Sequence, residues 1–169
     1  SGQITDLTES GYTDVQAKWV LGGKAILFFS DRAGYRSHGS WGAQDDVYLM
    51  FLTGDAYDDF KLTKEERELK KELEKEQKKK DKDKDKGKED DKTKEAEKDS
   101  TKAAEPLDFD LDNRRYRVER LTRHSSNLAD AYLNKEGTKL YYLARFEKGY
   151  DLWEQDFLEN STKILSKDV

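Results

Sequence analysis

The chain has 169 residues, enough for one ordinary domain, but 41% of them are charged and only 34% are hydrophobic. The range 64–105 contains 16 Lys and Arg against 16 Asp and Glu, so the formal net charge of −5 comes entirely from the rest of the sequence. An acidic surface repels a phosphate backbone, which argues against nucleic-acid binding. The lack of cysteine excludes disulfides and thiolate metal sites, and no apolar run approaches the ~20 residues that cross a bilayer.

Composition divides the chain into three parts. Residues 1–62 are rich in Val, Ile, Phe, Tyr and Trp and alternate in the manner of strands, and the same texture returns after Pro106. Between them lies a segment made almost only of Lys, Glu and Asp. We therefore predict a first β-module formed by residues 1–62 and 106–126 with a leading strand, an insertion at 63–105, and a second β-module at 127–169.

The insertion contains two kinds of segment. Thr63 and Glu66 have the spacing of a capping box, and Leu69 and Leu73 lie one helical turn apart, which predicts a helix from residue 64 to about 80. Two leucines form only a narrow apolar stripe, so this helix should project into solvent. The remainder has no apolar residue larger than alanine and is predicted to be disordered. Because its charges balance, we interpret it as a solvated insertion and not as a basic binding tail.

Two hairpins in the sequence resemble each other. GKAILFFS at 23–30 aligns with GTKLYYLA at 137–144, and DVYLM at 46–50 aligns with DLWEQ at 151–155. A glycine-containing turn follows the first strand of each pair. Leu-Thr pairs at 7–8 and 121–122 predict a short strand before each copy. The sequence therefore contains one module used twice.

Four short antiparallel strands with aromatic residues and turn glycines are typical of a β-propeller blade. Inner strands are predicted at about 13–20 and 127–133, and the outer strand of the first blade at 116–122. The insertion then falls between the third and fourth strands of that blade. A long insertion is tolerated there because the entropic cost of closing a loop grows only slowly with its length. The predicted fold is all-β, with two four-stranded antiparallel propeller-type blades and a charged, partly helical, mostly disordered insertion.

WVLGGKAILFFSDRAGYRSHGSWGAQDDVYLMFL, together with LDFDLDNRRYRVERLT, resembles the amino-terminal propeller of tricorn-type proteases, including the large serine peptidases of Bacteroidetes. The blade pattern, with Gly-Lys, an apolar strand and Ser-Asp-Arg-x-Gly at 30–34, is also similar to that of TolB-like and other WD-type blades. The resemblance covers nearly the whole chain apart from the charged run. It implies a parent serine peptidase of the periplasm or envelope with a PDZ-like domain and a tail-specific-protease catalytic domain, neither of which is visible in this sequence.

Few residues are candidates for chemistry. His124 beside Ser125 offers a base and a nucleophile, but sequence neighbours on a strand point apart, and a triad is defined by geometry. His38 and Trp41 lie in a glycine-rich loop and are candidates for peptide contact. Structural roles at turns are assigned to Gly23, Asp31, Arg32, Gly34, Gly137 and Gly149.

Metal binding has little support in the sequence. Two separated histidines give no zinc spacing. Asp108, Asp110 and Asp112 alternate with apolar residues and hint at calcium, but they lack the glycine and the closing glutamate of a calcium loop. We interpret them as solvation of a strand edge.

These observations leave two functional hypotheses. The favoured one is a non-catalytic propeller segment of a tricorn-like serine protease, which gates or guides peptide substrates toward a catalytic domain outside this chain. The alternative is a TolB-like propeller that acts as a protein–protein interaction module. We expect no catalytic residue, cofactor or metal in the chain, and neither nucleic-acid binding nor membrane insertion. The predicted partners are peptide substrates and the remaining blades of the parent protein, with weak self-association.

Overall fold

The computed structural model describes residues 2, 4–36, 42–85 and 109–169. Its elements follow in chain order: β1 (Asp14–Val20), a 3₁₀ turn (Leu21–Gly23), β2 (Ala25–Ser30), β3 (Asp46–Phe51), α1 (Gly54–Lys61), α2 (Lys64–Asp85), a second 3₁₀ turn (Arg114–Arg117), β4 (Val118–Arg120), β5 (Asn127–Leu133), β6 (Lys139–Arg145), β7 (Asp151–Asp156) and β8 (Ser161–Ser166).

The strands form two four-stranded antiparallel sheets, β1-β2-β3-β4 and β5-β6-β7-β8, in the order of the chain. The prediction of an all-β chain with two such sheets is confirmed. Both sheets belong to one compact unit, made of Ser1–Lys61 and Leu107–Val169, and Leu62–Pro106 is assigned to a second unit.

The repeat in the sequence is also a repeat in strand register. Ile26 pairs with Met50 in the first sheet, and the aligned Leu140 pairs with Gln155 in the second. The inner strand of each sheet, β1 or β5, carries a bulge against the strand that follows it. Because a bulge bends a strand at a defined place, its recurrence indicates that the two sheets share the same local shape.

The hairpin turns fix the alignment of the two sheets. Gly23 and Gly137 occupy the same place in turns of equal length, and both have positive φ, 88° and 67°. The amide that follows β3 donates to the turn carbonyl of Lys24, and the amide that follows β7 donates in the same way to Thr138. Glycine adopts such left-handed conformations without steric cost, which explains its presence in both copies.

The two sides of each sheet can now be named. Face A carries Leu27 in the first sheet and its equivalent Tyr141 in the second, whereas face B carries Phe28 and its equivalent Tyr142. Face A of the first sheet packs against face B of the second and forms one continuous core. Its buried members are Ala25, Leu27, Phe29, Val47, Leu49, Phe51, Ala56, Leu121, Ala131, Leu133, Leu140, Tyr142 and Ala144.

Helix α1 covers one end of face A of the first sheet and was not predicted from the sequence. The ring of Phe51 lies 5.5 Å from that of Tyr57 and 5.0 Å from that of Phe60, measured between centroids. Phe60 reaches the second sheet, with 5.8 Å between its ring and that of Phe157. The helix begins after Thr53, whose hydroxyl accepts the amide of Ala56 in the manner of an N-cap.

Other elements differ from the sequence-based expectation in extent. Leu7 and Thr8 form a bend and not the predicted leading strand. The outer strand of the first sheet is only three residues long, because the chain enters it through the 3₁₀ turn that contains Tyr116. The side chain of Arg117 holds this turn by donating to the carbonyl oxygens of Asp110 and Asp112.

Helix α2 begins at the predicted capping box. The Thr63 hydroxyl accepts the Glu66 amide at 3.3 Å, and the Glu66 carboxylate accepts the Thr63 amide at 2.8 Å. Leu69 and Leu73 are both exposed, in line with their narrow apolar stripe. This helix continues to Asp85, so residues 81–85, which the sequence predicted to be disordered, are helical. The rest of the predicted disordered segment lies outside the described residues.

The shared core predicts that the two sheets unfold together. Leu140 is fully buried between them, so Leu140→Ala should lower the free energy of unfolding by about 2–5 kcal/mol. Urea titrations followed by far-UV circular dichroism and by tryptophan fluorescence should give coincident transitions. Leu69→Ala, at a leucine that is 57% exposed, is the matched control and should change stability by less than about 1 kcal/mol. Equal effects of the two substitutions would contradict the shared core.

Candidate functional site

The predicted peptide-contact residues, His38 and Trp41, lie outside the described residues. Of the residues assigned to turns, Gly23, Gly137 and Gly149 have positive φ. Gly34 is constrained by space, because a methyl group at its Cα would overlap the carbonyl of Gln44.

Asp31 and Arg32 connect the turn after β2 to the chain before and within β1. The Asp31 carboxylate accepts the amide of Thr13 at 3.1 Å and the guanidinium of Arg36 at 2.8 Å. Arg32 donates to Asp14 at 2.8 Å. These contacts lie within the first sheet and its flanking segments, so they order that module.

The carboxylate of Asp14 is strongly stabilised in its charged form. Burial raises its pKa, but hydrogen bonds from Ser10, Ser30 and Arg32 outweigh burial and hold the pKa at about 2, below its ordinary value of 3.8. The pKa of Asp31 is lowered as well, chiefly by its hydrogen bond with Arg36. Both carboxylates therefore favour the folded state at neutral pH.

A second buried carboxylate organises the connection between the two sheets. Asp46 is fully buried and accepts hydrogen bonds from Thr122 at 2.6 Å, Arg120 at 2.9 Å and Ser125 at 2.7 Å. The neighbouring backbone of Asp45 pairs with that of Ser126. A buried charge needs such partners, and here they fix the segment that links β4 to β5.

The His124–Ser125 pair does not have the geometry of a nucleophile and its base. The Ser125 hydroxyl donates to Asp46 and accepts from Arg120 at 3.2 Å. No hydrogen bond joins Ser125 to His124 in the described part of the chain. The hydroxyl proton of Ser125 is thus directed at a carboxylate inside the fold.

His124 and Ser125 instead form part of the wall of an open pocket of about 720 Å³, which we call the end groove. Phe146, which is 49% exposed, packs edge-on against Trp153 at 5.4 Å and provides an aromatic surface in this groove. Charged side chains of both signs surround it. The lining is completed by Glu147, Lys148, Asp151, Lys167 and Asp168.

A second candidate surface lies on face A of the second sheet, the side that faces away from the shared core. Tyr132 is 60% exposed, and Tyr141, Leu143 and Leu152 are half-buried. We call these four residues the open face. They line a shallow pocket of about 180 Å³ that is almost wholly apolar.

The open face is bordered by charge on two sides. Asp130, which also lines its pocket, pairs with Lys18 of β1, and a larger cluster surrounds Glu154. The Glu154 carboxylate forms ion pairs with the ammonium groups of Lys163 at 3.0 Å and Lys139 at 3.3 Å. Lys139 also pairs with the Asp156 carboxylate at 3.3 Å. We call these last four residues the charged border. In the first sheet the positions of Lys139 and Asp156 are taken by Ala25 and Phe51, in the region of face A that α1 covers. The second sheet thus has ion pairs where the first sheet has an apolar contact.

Neither surface was predicted from the sequence, although the open face leaves a signal there. AILFFS in β2 is almost continuously apolar, which is typical of a strand covered on both sides. KLYYLAR in β6 begins and ends with a charged residue, and it has tyrosines at the positions of Leu27 and Phe28 in β2. This contrast between aligned strands indicates that the second sheet is covered less completely than the first.

The described residues offer no metal site, since no group of three or more His, Asp or Glu among them could hold an ion. Asp110 pairs with Arg117 at 3.0 Å, and Asp108 lies outside the described residues. None of the helices that the structure describes is long and apolar enough to cross a membrane. No protein-family model and no curated protein matches the chain.

The depressed pKa of Asp14 predicts an acid-sensitive first module. Its folded pKa lies below the unfolded value, so the stabilisation is complete above pH 4 or so and is lost as the pH falls toward 2. We expect Asp14→Asn to destabilise the chain at pH 7 by about 1–2 kcal/mol, with the difference from the parent narrowing toward pH 2. Urea titrations over this pH range measure it. Asp58→Asn, at an exposed position of α1, is the control, and a pH-independent cost of Asp14→Asn would contradict the assignment.

Proposed function

We propose that this chain is a non-catalytic, propeller-type module of a tricorn-like serine peptidase, and that it contacts peptides on their way to a catalytic domain elsewhere. Two kinds of observation support the proposal: the way in which the two sheets stack, and the end groove. The family named in this proposal rests on the resemblance of the SDRAG and DLDNRRYRVERLT stretches to tricorn-type proteases.

The stacking of the sheets is the observation that carries the proposal. A repeat that packs with the same face of both copies forms a closed, two-fold pair. Here face A of one copy meets face B of the next, so the contact leaves an A-type face at one end and a B-type face at the other. Head-to-tail contacts of this kind can be repeated, as they are between the blades of a propeller.

The end groove supports the contact with peptides. An exposed phenylalanine on a tryptophan offers an apolar side chain a place to bind, and lysines and carboxylates close by can pair with peptide charges. Its mixed charge fits transient contact with many sequences better than tight recognition of one. Guiding substrates requires such weak, tolerant binding.

The open face favours the second candidate, a protein–protein interaction module of TolB-like type. Its four residues form a contiguous apolar surface with a polar border, the composition that protein interfaces share. The two candidates therefore use different surfaces of the second sheet. Substitutions in one surface can distinguish them from each other.

The first prediction of the proposal is that the pure chain hydrolyses neither casein nor peptides above background. The Ser125 hydroxyl donates to the Asp46 carboxylate and accepts from Arg120, and no histidine of the described residues is hydrogen-bonded to it. Fluorogenic peptide and casein assays measure this directly. Cleavage that is abolished by His124→Ala or Ser125→Ala would overturn the non-catalytic assignment.

The second prediction concerns peptide binding. Phe146→Ser should weaken the binding of a pool of labelled, extended peptides of mixed charge by about tenfold, because it removes the exposed ring of the end groove. Fluorescence anisotropy provides the measurement. Tyr132→Ser removes a similarly exposed ring from the open face and should leave peptide binding unchanged. Unchanged binding after Phe146→Ser, or loss only after Tyr132→Ser, would favour the interaction module instead.

A further inference from the structure

The two outer faces of the stack are equivalent in position but differ in how well they are covered. On the middle strands of face B of the first sheet, Phe28, Tyr48 and Met50 are between 3% and 6% exposed, although Trp19 on the inner strand is 58% exposed. On the middle strands of face A of the second sheet, Tyr141, Leu143 and Leu152 are only half-buried, and Tyr132 on the inner strand is 60% exposed. Something other than a further sheet therefore protects the first of these apolar faces.

The cover is the segment that precedes β1, residues 4–13, which we call the strap. Leu7 packs against the cluster of Phe28, Tyr48 and Met50. Arg114, which is distant from the strap in the sequence, holds it in place. Its guanidinium donates to the carbonyl oxygens of Leu7 and Asp6, each at 2.8 Å, and it pairs with Glu9.

The later part of the strap is fastened by the turn after β2. Arg36 lies over the ring of Tyr12, 4.8 Å from its centroid, and Arg32 lies over Tyr48 at 4.8 Å. Ser10 donates to Asp14, which also binds Arg32. These contacts are polar or cation–π, so they can be exchanged for contacts with water at modest cost, unlike the packed core between the sheets.

We propose that the strap is an autoinhibitory cover, and that its displacement allows face B of the first sheet to dock on the open face of a second copy of the chain. The occupant of the open face is thus the Phe28–Tyr48–Met50 surface of another copy. The proposal concerns self-assembly and does not depend on the contact with peptides.

The interface inside the chain supplies the template for this docking. There, Leu27, Phe29 and Val47 of face A pack in the core that they share with face B of the second sheet. Their equivalents on the open face are Tyr141, Leu143 and Leu152, so the same half of face A is apolar in both sheets. Lys139 and Asp156 take the positions of Ala25 and Phe51, in the region that α1 covers in the first sheet. Glu154, which pairs with Tyr141 across the strands, takes the position of the core residue Leu49 and is held by Lys139 and Lys163. The open face thus offers a B-type face the side chains of Tyr141, Leu143 and Leu152, with the ion-paired Glu154 beside them.

The asymmetry has a consequence for assembly. In the strapped chain one of the two complementary faces is covered, so self-association through them is weak. Once the strap is displaced, each copy presents both faces, and a head-to-tail contact can be repeated from copy to copy. The strap therefore determines whether the chain remains monomeric or assembles head to tail with further copies.

The test uses the full chain with its strap loosened by Leu7→Asp and Arg114→Ser. Sedimentation velocity over a wide concentration range should show species larger than dimers, with association at least about tenfold tighter than that of the parent chain. Leu69→Asp, at an exposed leucine of α2, is the matched control and should behave like the parent. Adding Leu143→Glu to the loosened chain should restore the monomer.

A mixing experiment separates specific docking from general stickiness. The loosened chain that also carries Leu143→Glu has only a free B-type face, and the parent chain has only a free open face. Together they should form a one-to-one complex, whereas neither should associate alone. A peptide of residues 1–13 added in trans should compete with the complex.

Circular dichroism and the urea midpoint establish that the loosened chain is folded. If it is folded and stays monomeric, or if Leu143→Glu leaves its association unchanged, the proposal is wrong. If it does not fold, deuterium exchange of the parent chain decides. Exchange of the strap amides well before those of β2 and β3 supports a displaceable cover, and simultaneous exchange overturns it.

Discussion

The structure depends on one packing constraint, the burial of face A of the first sheet against face B of the second. Removing the apolar side of a sheet from water is favourable, so each sheet is stabilised by covering the other. Fully buried residues such as Leu27, Leu49 and Leu140 meet in this contact and unite strands more than a hundred residues apart. The polar contacts around it, including the fully buried carboxylate of Asp46, fix the connection between the sheets at one edge of that core.

The same constraint makes the two ends of the stack different. Because unlike faces meet in the middle, unlike faces are left outside, and the chain treats them in different ways. Face B of the first sheet is covered by the strap, with Leu7 as its apolar contact and Arg114 as its clamp. Face A of the second sheet is partly charged, through the ion pairs of Glu154 with Lys139 and Lys163. Covering and charging are two ways of limiting contact between apolar sheet surfaces.

The sequence predicted the strands and the repeat well, because alternation and turn glycines are local signals. Gly23 and Gly137 each need a left-handed conformation, and the strands beside them follow. The strap was assigned as a strand because Leu7-Thr8 resembles Leu121-Thr122, and nothing in the local sequence shows that Arg114 would hold it as an irregular segment. Helix α1 left a signal that was missed, the capping Thr53 followed by Tyr57 and Phe60 on one side. The end groove combines three separate segments of the chain, so no local pattern could have revealed it.

The two candidate surfaces make different demands on binding, and their composition decides what each can hold. The end groove places an exposed ring among charges of both signs, so a flexible peptide can satisfy it with few residues and leave again. The open face offers tyrosine and leucine side chains on a rigid sheet without a deep cavity, since its pocket is only about 180 Å³. A flexible peptide would lose much conformational entropy for little buried area there, whereas a preformed sheet face loses almost none. On these grounds we propose peptides as ligands of the groove and folded β-surfaces as partners of the open face.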